Sequence, residues 1–320
     1  MSLLLTREEV RPLLDLRRAI EVTESAFRQQ AQGQVVAHAP YHIQLKERAA
    51  LRVVSGALLG SERVGVRLGP NSGFSGGDRM CALLFDTESG ELLTVMGYPF
   101  GTLRTAATVG LAARYLARED ARRIGLFGVG RNALGLLRGI ALVRQVEEVL
   151  VFNRDAEKRR GFCEKASQTL EIDIRPAEEV KEAVRGMDIV LTATNVTSAL
   201  FPEEWIEPGM HLSSMGKPAE LSQGVFLKAH RVVVGSREHE RLYHDRSAPL
   251  PLVELTDSGK LSWDGIWELG EVVVGRKAGR AGPGEITVFR ESQGGFGDVA
   301  LAAWVYDEAR RSGLGREVTL

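Results

Sequence analysis

The chain has 320 residues, with 41 basic against 42 acidic side chains. That length suggests two domains, or one with an insertion, and the balanced charge excludes the basic excess of a nucleic-acid or polyanion binder. Two cysteines, Cys81 and Cys163, are too few for a disulfide framework, no apolar run approaches the roughly 20 residues that span a bilayer, and the N-terminus lacks the apolar stretch of a signal peptide; the expectation is a cytoplasmic protein with no membrane partner.

Thr6 with Glu9 three residues on is a capping box, and Leu16 to Gln30 has amphipathic helical spacing. Between Val35 and Met96 the pattern changes to short alternating runs. Ala49–Ser55, Val64–Leu68 and Met80–Phe85 read as strands, and Thr87–Glu91 as a hairpin turn, which together point to an antiparallel sheet. Thr105–Leu116 reads as an Ala-rich helix with Thr105 as its cap. Beyond it strands and helices alternate: Ile124–Phe127, Ala133–Val143, Glu148–Phe152, Ala156–Leu170, Asp188–Thr194, Gly209–Ser214 and Arg231–Val234. That alternation predicts a parallel, doubly wound sheet. Gly297–Ser312 is a final helix ended by Gly313. The fold class is therefore α/β, a Rossmann-type domain over 117–292 beside an α+β domain over 1–116 that the tail, 293–320, completes.

The most specific local signal is the Gly-x-Gly-x-x-Ala turn of Gly128, Gly130 and Ala133, between an apolar strand and a helix. Gly128 allows the tight turn, Gly130 removes a Cβ that would block a pyrophosphate, and Ala133 lets the helix pack on the strand. Arg131 and Asn132 sit within the turn, and the helix N-terminus offers N–H groups to phosphates. The ends of later strands, Thr192, Ala193 and Thr194 and then Met215 and Gly216, complete the expected cofactor site. The acid that usually holds a ribose diol is replaced by Asn153, with Arg154 next. Asn does not repel a 2′-phosphate and Arg clamps one, so the expected cofactor is NADP; Asp155, one register on, keeps NAD as the alternative.

Further phrases surround this turn: Leu103-Arg-Thr-Ala-Ala107, Trp205-Ile-Glu-Pro-Gly-Met-His211, Leu269-Gly-Glu271, Glu285-Ile-Thr-Val-Phe289 and Gly295-Phe-Gly-Asp-Val-Ala300. With them the chain resembles the ornithine cyclodeaminase/mu-crystallin family nearly end to end. The resemblance implies a homodimeric NAD(P)-dependent enzyme of small imino or amino acids, with the N-terminal domain binding substrate and forming the dimer. Three positions depart from the family pattern. Arg67 stands where the family has a lysine, ahead of the turn that carries Asn71; Gly235 stands where it has an aspartate; Pro40 stands where it has an arginine.

Lysine and aspartate move protons when burial tunes them, whereas arginine cannot deprotonate and glycine offers nothing. The expectation is a reductase of a carboxylate-bearing imine. Arg104 would anchor the carboxylate, Arg67 would add a second cationic contact suited to a dicarboxylate, and Thr105 and Asn71 would complete the substrate site. The bland alternative for Arg67 is an outward-facing strand residue in a surface ion pair. Candidate proton donors are His38, Tyr41 and His42, of which His42 enters the catalytic set with Arg67 and Arg104. His211 is a candidate for the nicotinamide side, and Tyr243-His244-Asp245 a remote one. Ornithine cyclodeaminase, alanine dehydrogenase and a non-catalytic NADPH-binding protein are the rival readings. The histidine and cysteine spacings predict no metal site.

Overall fold

The computed structural model describes residues 1–46, 49–70, 79–243 and 248–319. The chain divides into two compact units, Met1–Arg104 with Gln293–Leu320, and Thr105–Ser292. Gly101–Leu116 is one helix, and the boundary falls inside it rather than at 116/117. Its Val109 and Ala113 share a core with Leu136, Leu137 and Ile140 of the second unit, which is why most of the helix belongs there. Gly101 starts the helix, so Thr105 lies buried within it and is not its cap.

The first unit is built on seven strands: β1 (Ser2–Leu5), β2 (Val35–Ala37), β3 (Tyr41–Lys46), β4 (Ala49–Leu58), β5 (Arg63–Pro70), β6 (Cys81–Asp86) and β7 (Leu92–Gly97), with the late strand Arg316–Val318 beside β1. The pairs β4–β5, β5–β6 and β6–β7 are antiparallel, whereas β1 joins β7 in parallel. At the β6–β7 turn, Asp86 accepts from the backbone N–H groups of Glu88 and Ser89. Both β2 and β3 pair with β4, one after the other, across the His38–Pro40 break.

One face of this sheet is covered by helices Leu16–Ala31 and Gly295–Ser312, which meet edge-to-face through Phe27 and Phe296 with ring centroids 5.3 Å apart. The second helix lands directly on β4. A Cβ built on Gly56 would sit 2.5 Å from the Phe296 nitrogen, and one on Gly295 would overlap the Ser55 carbonyl. The contact exists because neither residue has a side chain.

In the second unit the strands are β8 (Arg123–Phe127), β9 (Glu148–Phe152), β10 (Asp173–Pro176), β11 (Ile189–Thr192), β12 (His211–Ser214), β13 (Arg231–Val234), β14 (Ile266–Glu268) and β15 (Thr287–Arg290). Their order is β10-β9-β8-β11-β12-β15-β13-β14, with every pairing parallel. Such strands are buried on both faces, which accounts for their continuous apolar runs. Val190, Leu212 and Val288 lie in one core layer, and Ile124, Val151 and Leu191 in the other. The order in which strands are added reverses between β8 and β11, so the carboxyl ends of β8, β9 and β11 open at a topological switch point.

Gly56→Ala is expected to cost about 1–3 kcal/mol, because the added methyl meets backbone rather than a movable side chain. Denaturant unfolding of the purified variant checks this; unchanged stability would show that the helix settles on β4 without needing the glycine.

Candidate active site

The carboxyl ends of β8, β9 and β11 border a cleft of about 630 Å³, lined by Gly128, Val129, Gly130, Phe152, Asn153, Arg154 and Lys158 on one side. Val180, Ala193, Thr194, Asn195, Val196 and Leu200 contribute to the other. Gly128 has φ +94°, and a Cβ there would lie 2.6 Å from the Ala193 carbonyl; a Cβ on Gly130 would meet nothing within 4 Å. The first glycine therefore makes the turn, and the second keeps space open above it. That cradle fits a dinucleotide pyrophosphate.

Six of the anticipated cofactor residues border the cleft: Gly128, Gly130, Asn153, Arg154, Ala193 and Thr194. The rest lie elsewhere. Ala133 is buried under the helix it starts, Arg131 is exposed, and Asn132 reaches the Met215 sulfur at 3.7 Å. Thr192 and Gly216 turn toward the buried carboxylate of Glu220. Asp155 is engaged as the N-cap of helix Ala156–Leu170, accepting from the Lys158 N–H at 3.1 Å, and its other oxygen lies 3.0 Å from Lys158 Nζ. It does not border the cleft, whereas Lys158, which sequence reasoning missed, does. Arg154 makes no ion pair among the described residues.

The first unit holds a buried polar cluster on the helix-covered face. Strand register puts Arg67 opposite Val54 and Ala82, on the face that receives Gly295–Ser312. Asp298, in the first turn of that helix, is buried and lies 3.1 Å from Arg67 Nε and 3.3 Å from Arg104 Nε. The Tyr98 hydroxyl donates to the same carboxylate, and the Arg67 guanidinium stacks over the Tyr98 ring at 5.2 Å. Arg67 also donates to the Met80 sulfur, and Arg104 to Gln293 Oε1 at 3.0 Å. The outward, solvent-exposed reading of Arg67 is thus overturned: its neighbours are a carboxylate and an aromatic face, and it is 8% exposed. Sequence spacing gave no sign that Asp298 would meet Arg67, 231 positions away.

Two guanidiniums share this one carboxylate. Burial pushes the Asp298 carboxyl up, but Arg67, Arg104 and the Tyr98 hydroxyl together outweigh it and hold its pKa below the ordinary value. Burial first and Asp298 second push Tyr98 well above its ordinary value. His42 shares the inner face of the sheet through its pairing with Arg52, and burial followed by Arg52 lowers its pKa, favouring the neutral ring. Tyr41, one residue earlier, faces the opposite way and is 66% exposed, so it does not join Arg67. His38 is exposed. Asn71, His244 and Asp245 lie outside the described residues; Tyr243 is half-buried.

His211 begins β12 and therefore stands at the amino end of the sheet, away from the cleft. Burial, then Arg280 and Arg144, push its pKa down to about 3, and Nδ1 bonds Thr287 Oγ1 at 2.9 Å. It is a neutral structural residue, contrary to the expectation of a nicotinamide contact. Gly235 donates its N–H to the Arg290 carbonyl, and the nearby acid Glu240 is buried against Arg290 Nε at 3.3 Å. Among the described residues no group of three His, Cys, Asp or Glu is placed to hold a metal ion, and no helix is long and apolar enough to cross a membrane.

An α/β dinucleotide-type unit together with a sheet unit that holds a buried arginine–aspartate cluster is the arrangement of an NAD(P)-dependent oxidoreductase. The chain belongs to the ornithine cyclodeaminase/mu-crystallin family, whose model matches residues 1–313. A Delta(1)-pyrroline-2-carboxylate reductase of Bacillus cereus is 32% identical over 242 residues, 74% of this chain and 73% of that protein. The reductase of the same name from Thermococcus litoralis, solved with NADH and L-proline, superposes with a TM-score of 0.89 at 28% identity, covering 99% of this chain and 100% of its own. An archaeal alanine dehydrogenase dimer with bound NAD gives a TM-score of 0.88 at 28% identity, covering 100% of this chain and 99% of its own.

Asp298→Ala removes the carboxylate from between two buried guanidiniums and is expected to cost about 3–5 kcal/mol of stability. In the intact protein Asp298's folded pKa is depressed, so its contribution is fully present above the unfolded carboxylate value and is lost as pH falls through the folded one. Urea unfolding of wild type and Asp298→Asn across pH should show a gap that is constant above about pH 4 and closes below it. A gap independent of pH would refute the charged role.

Proposed function

We infer that this chain is an NAD(P)H-dependent oxidoreductase that reduces the C=N bond of a small carboxylate-bearing imine. The observation that carries this reading is Arg67, buried on Asp298 at the position where the family resemblance expects lysine. Arginine does not release a proton, so the reaction must be one that needs no lysine shuttle. Ornithine cyclisation requires repeated proton transfers at an amine, whereas imine reduction needs one hydride and one proton.

A bound nicotinamide supplies the hydride. Gly128, Gly130 and the first turn of the following helix would hold the pyrophosphate, with Ala193 and Thr194 lining the same cleft. Arg104 binds the substrate carboxylate, with Arg67 adding positive charge beside it; Thr105 and Asn71 remain assigned to the substrate as resemblance implies. His42, whose pKa burial and then Arg52 lower, favours the neutral ring and serves as a hydrogen-bonding group. An imine that enters as the protonated iminium would need only hydride at its carbon to become the amine, and no proton from Arg67 or Arg104. NADP is the favoured cofactor, because Arg154 and Lys158 border the cleft beside Asn153 while Asp155 is held by its cap.

A second copy of the chain is the expected partner. On the other face of the first sheet, Ile43 pairs with Leu51, Val53 with Leu68, and Val66 with Leu83, which pairs in turn with Val95. Ile43 is 42% exposed and Leu45 56% exposed. A contiguous apolar face of this kind marks an association surface, and the dimeric alanine dehydrogenase is a full-length structural relative. That relative also supports amino-acid oxidation, the reverse direction of the same C=N/CH–NH chemistry, as the second reading.

Titration with NADPH and NADH followed by assays on cyclic and linear imino acids, with alanine and ornithine in parallel, tests the assignment. Arg104→Ala should lower kcat/KM for the imine on the order of 100-fold. Arg154→Ala should weaken NADPH about tenfold and leave NADH unchanged. Turnover of ornithine to proline would refute the reductase reading, and cofactor binding without any turnover would refute catalysis. Leu83→Glu should produce monomers in sedimentation or light scattering; an unchanged dimer would place the interface elsewhere.

A further inference from the structure

Glu220 was not anticipated as a functional residue. It ends the short turn Pro218–Glu220 and is fully buried. Oε2 accepts from Thr192 Oγ1 at 2.8 Å, from Ser214 Oγ at 3.1 Å and from the Gly216 N–H at 3.1 Å. Oε1 accepts from the Thr194 N–H. Thr192 and Ser214 are paired residues at the carboxyl ends of β11 and β12, so one carboxylate ties two neighbouring strand ends and the loops that leave them.

Arg290, at the end of β15 on the far side of β12, holds the same loop from its other polar edge. Its Nη1 donates to Ser214 Oγ at 3.1 Å and to the Gly216 carbonyl at 3.0 Å. Glu240 fixes the guanidinium from behind. The Gly216 peptide groups are thus gripped at N–H by Glu220 and at C=O by Arg290. Gly216 has no room for a side chain, since a Cβ would run into Glu220 and the Thr194 carbonyl.

In a doubly wound sheet the adenosine half of a dinucleotide lies over the β8–β9 side of the switch point, and the nicotinamide half over the β11–β12 side. Asn153 and Arg154 border the cleft on the first side, and Ala193 and Thr194 on the second. We propose that Glu220 is a positioning residue for the nicotinamide half of the cofactor, acting through the Thr194 and Gly216 backbone without touching the ligand. This rests on the dinucleotide reading above. A carboxylate suits this site because all four partners donate to it; glutamine keeps a single acceptor oxygen and turns an N–H₂ toward either the Thr194 N–H or the other three groups.

The test separates the two halves of the cofactor. Wild type, Glu220→Gln and Ser214→Ala are titrated with NADPH and with 2′-phospho-ADP-ribose, which lacks the nicotinamide, by fluorescence and calorimetry. Glu220→Gln should weaken NADPH about tenfold or more while the truncated ligand stays within about twofold. Ser214→Ala should shift NADPH the same way by a smaller factor, and it carries the test should Glu220→Gln not fold. Equal weakening of both ligands would mark a structural role only, and unchanged NADPH binding would show that the loop needs no such clasp; either overturns the proposal. Failure of the wild type to bind NADPH or NADH would remove the dinucleotide reading itself, a result distinct from failure of the variants.

Discussion

The first unit turns on one buried carboxylate. Asp298 is removed from water at a large desolvation cost, which only close, well-directed partners offset. Arg67, Arg104 and Tyr98 supply them, from β5, from the first turn of helix Gly101–Leu116 and from the segment between. The partners converge only if the C-terminal helix lies directly against β4, and that approach depends on Gly56 and Gly295. Sheet pleat, helix seat and charge cluster therefore specify one another.

The second unit uses the same device with different donors. Glu220 gathers two hydroxyls and two backbone N–H groups at the strand ends, and the neighbouring Arg290–Glu240 pair holds the adjacent carbonyl. Parallel strands end in unpaired polar groups at the edge where a ligand must bind. Left to water, those loops would sample several conformations. Bonding them from inside to buried Glu220 and Arg290 ties down the loops that carry Thr194 and Gly216.

Local pattern was legible wherever a short-range rule governs. The Thr6–Glu9 capping box, strand Glu148–Phe152, helix Ala156–Leu170 and strand Arg231–Val234 all stand where their spacing puts them. The Gly128 turn was legible too, because its function needs a fixed local geometry. What escaped depends on distant partners or on side-chain direction. Pleat parity separates Tyr41 from His42, though adjacency in sequence invites grouping them. Asp155 looked like a ribose ligand until its place as an N-cap was seen. Lys158 sits one turn into a helix, where spacing alone does not reveal that it borders the cleft. Glu220 lies in an unremarkable Lys-Pro-Ala-Glu phrase, and Asp298 meets Arg67 across most of the chain.

Taken together, the charges constrain the chemistry more than any one residue does. Arg67 and Arg104 stay cationic at all accessible pH values. Asp298 stays ionised because both guanidiniums hold its pKa down, and Tyr98 stays protonated because burial and Asp298 hold its pKa up. His42 is kept toward its neutral form, and Glu240 is committed to Arg290. Asp298 and Tyr98 hold their charge states near neutral pH, so neither is tuned to shuttle a proton there. A reaction that removes and returns protons at an amine would need such a group. A reduction does not, provided that its substrate brings the proton on an iminium nitrogen. Arg67, Arg104 and Asp298 together leave a net positive charge among buried groups, where preorganised charge works without rearrangement.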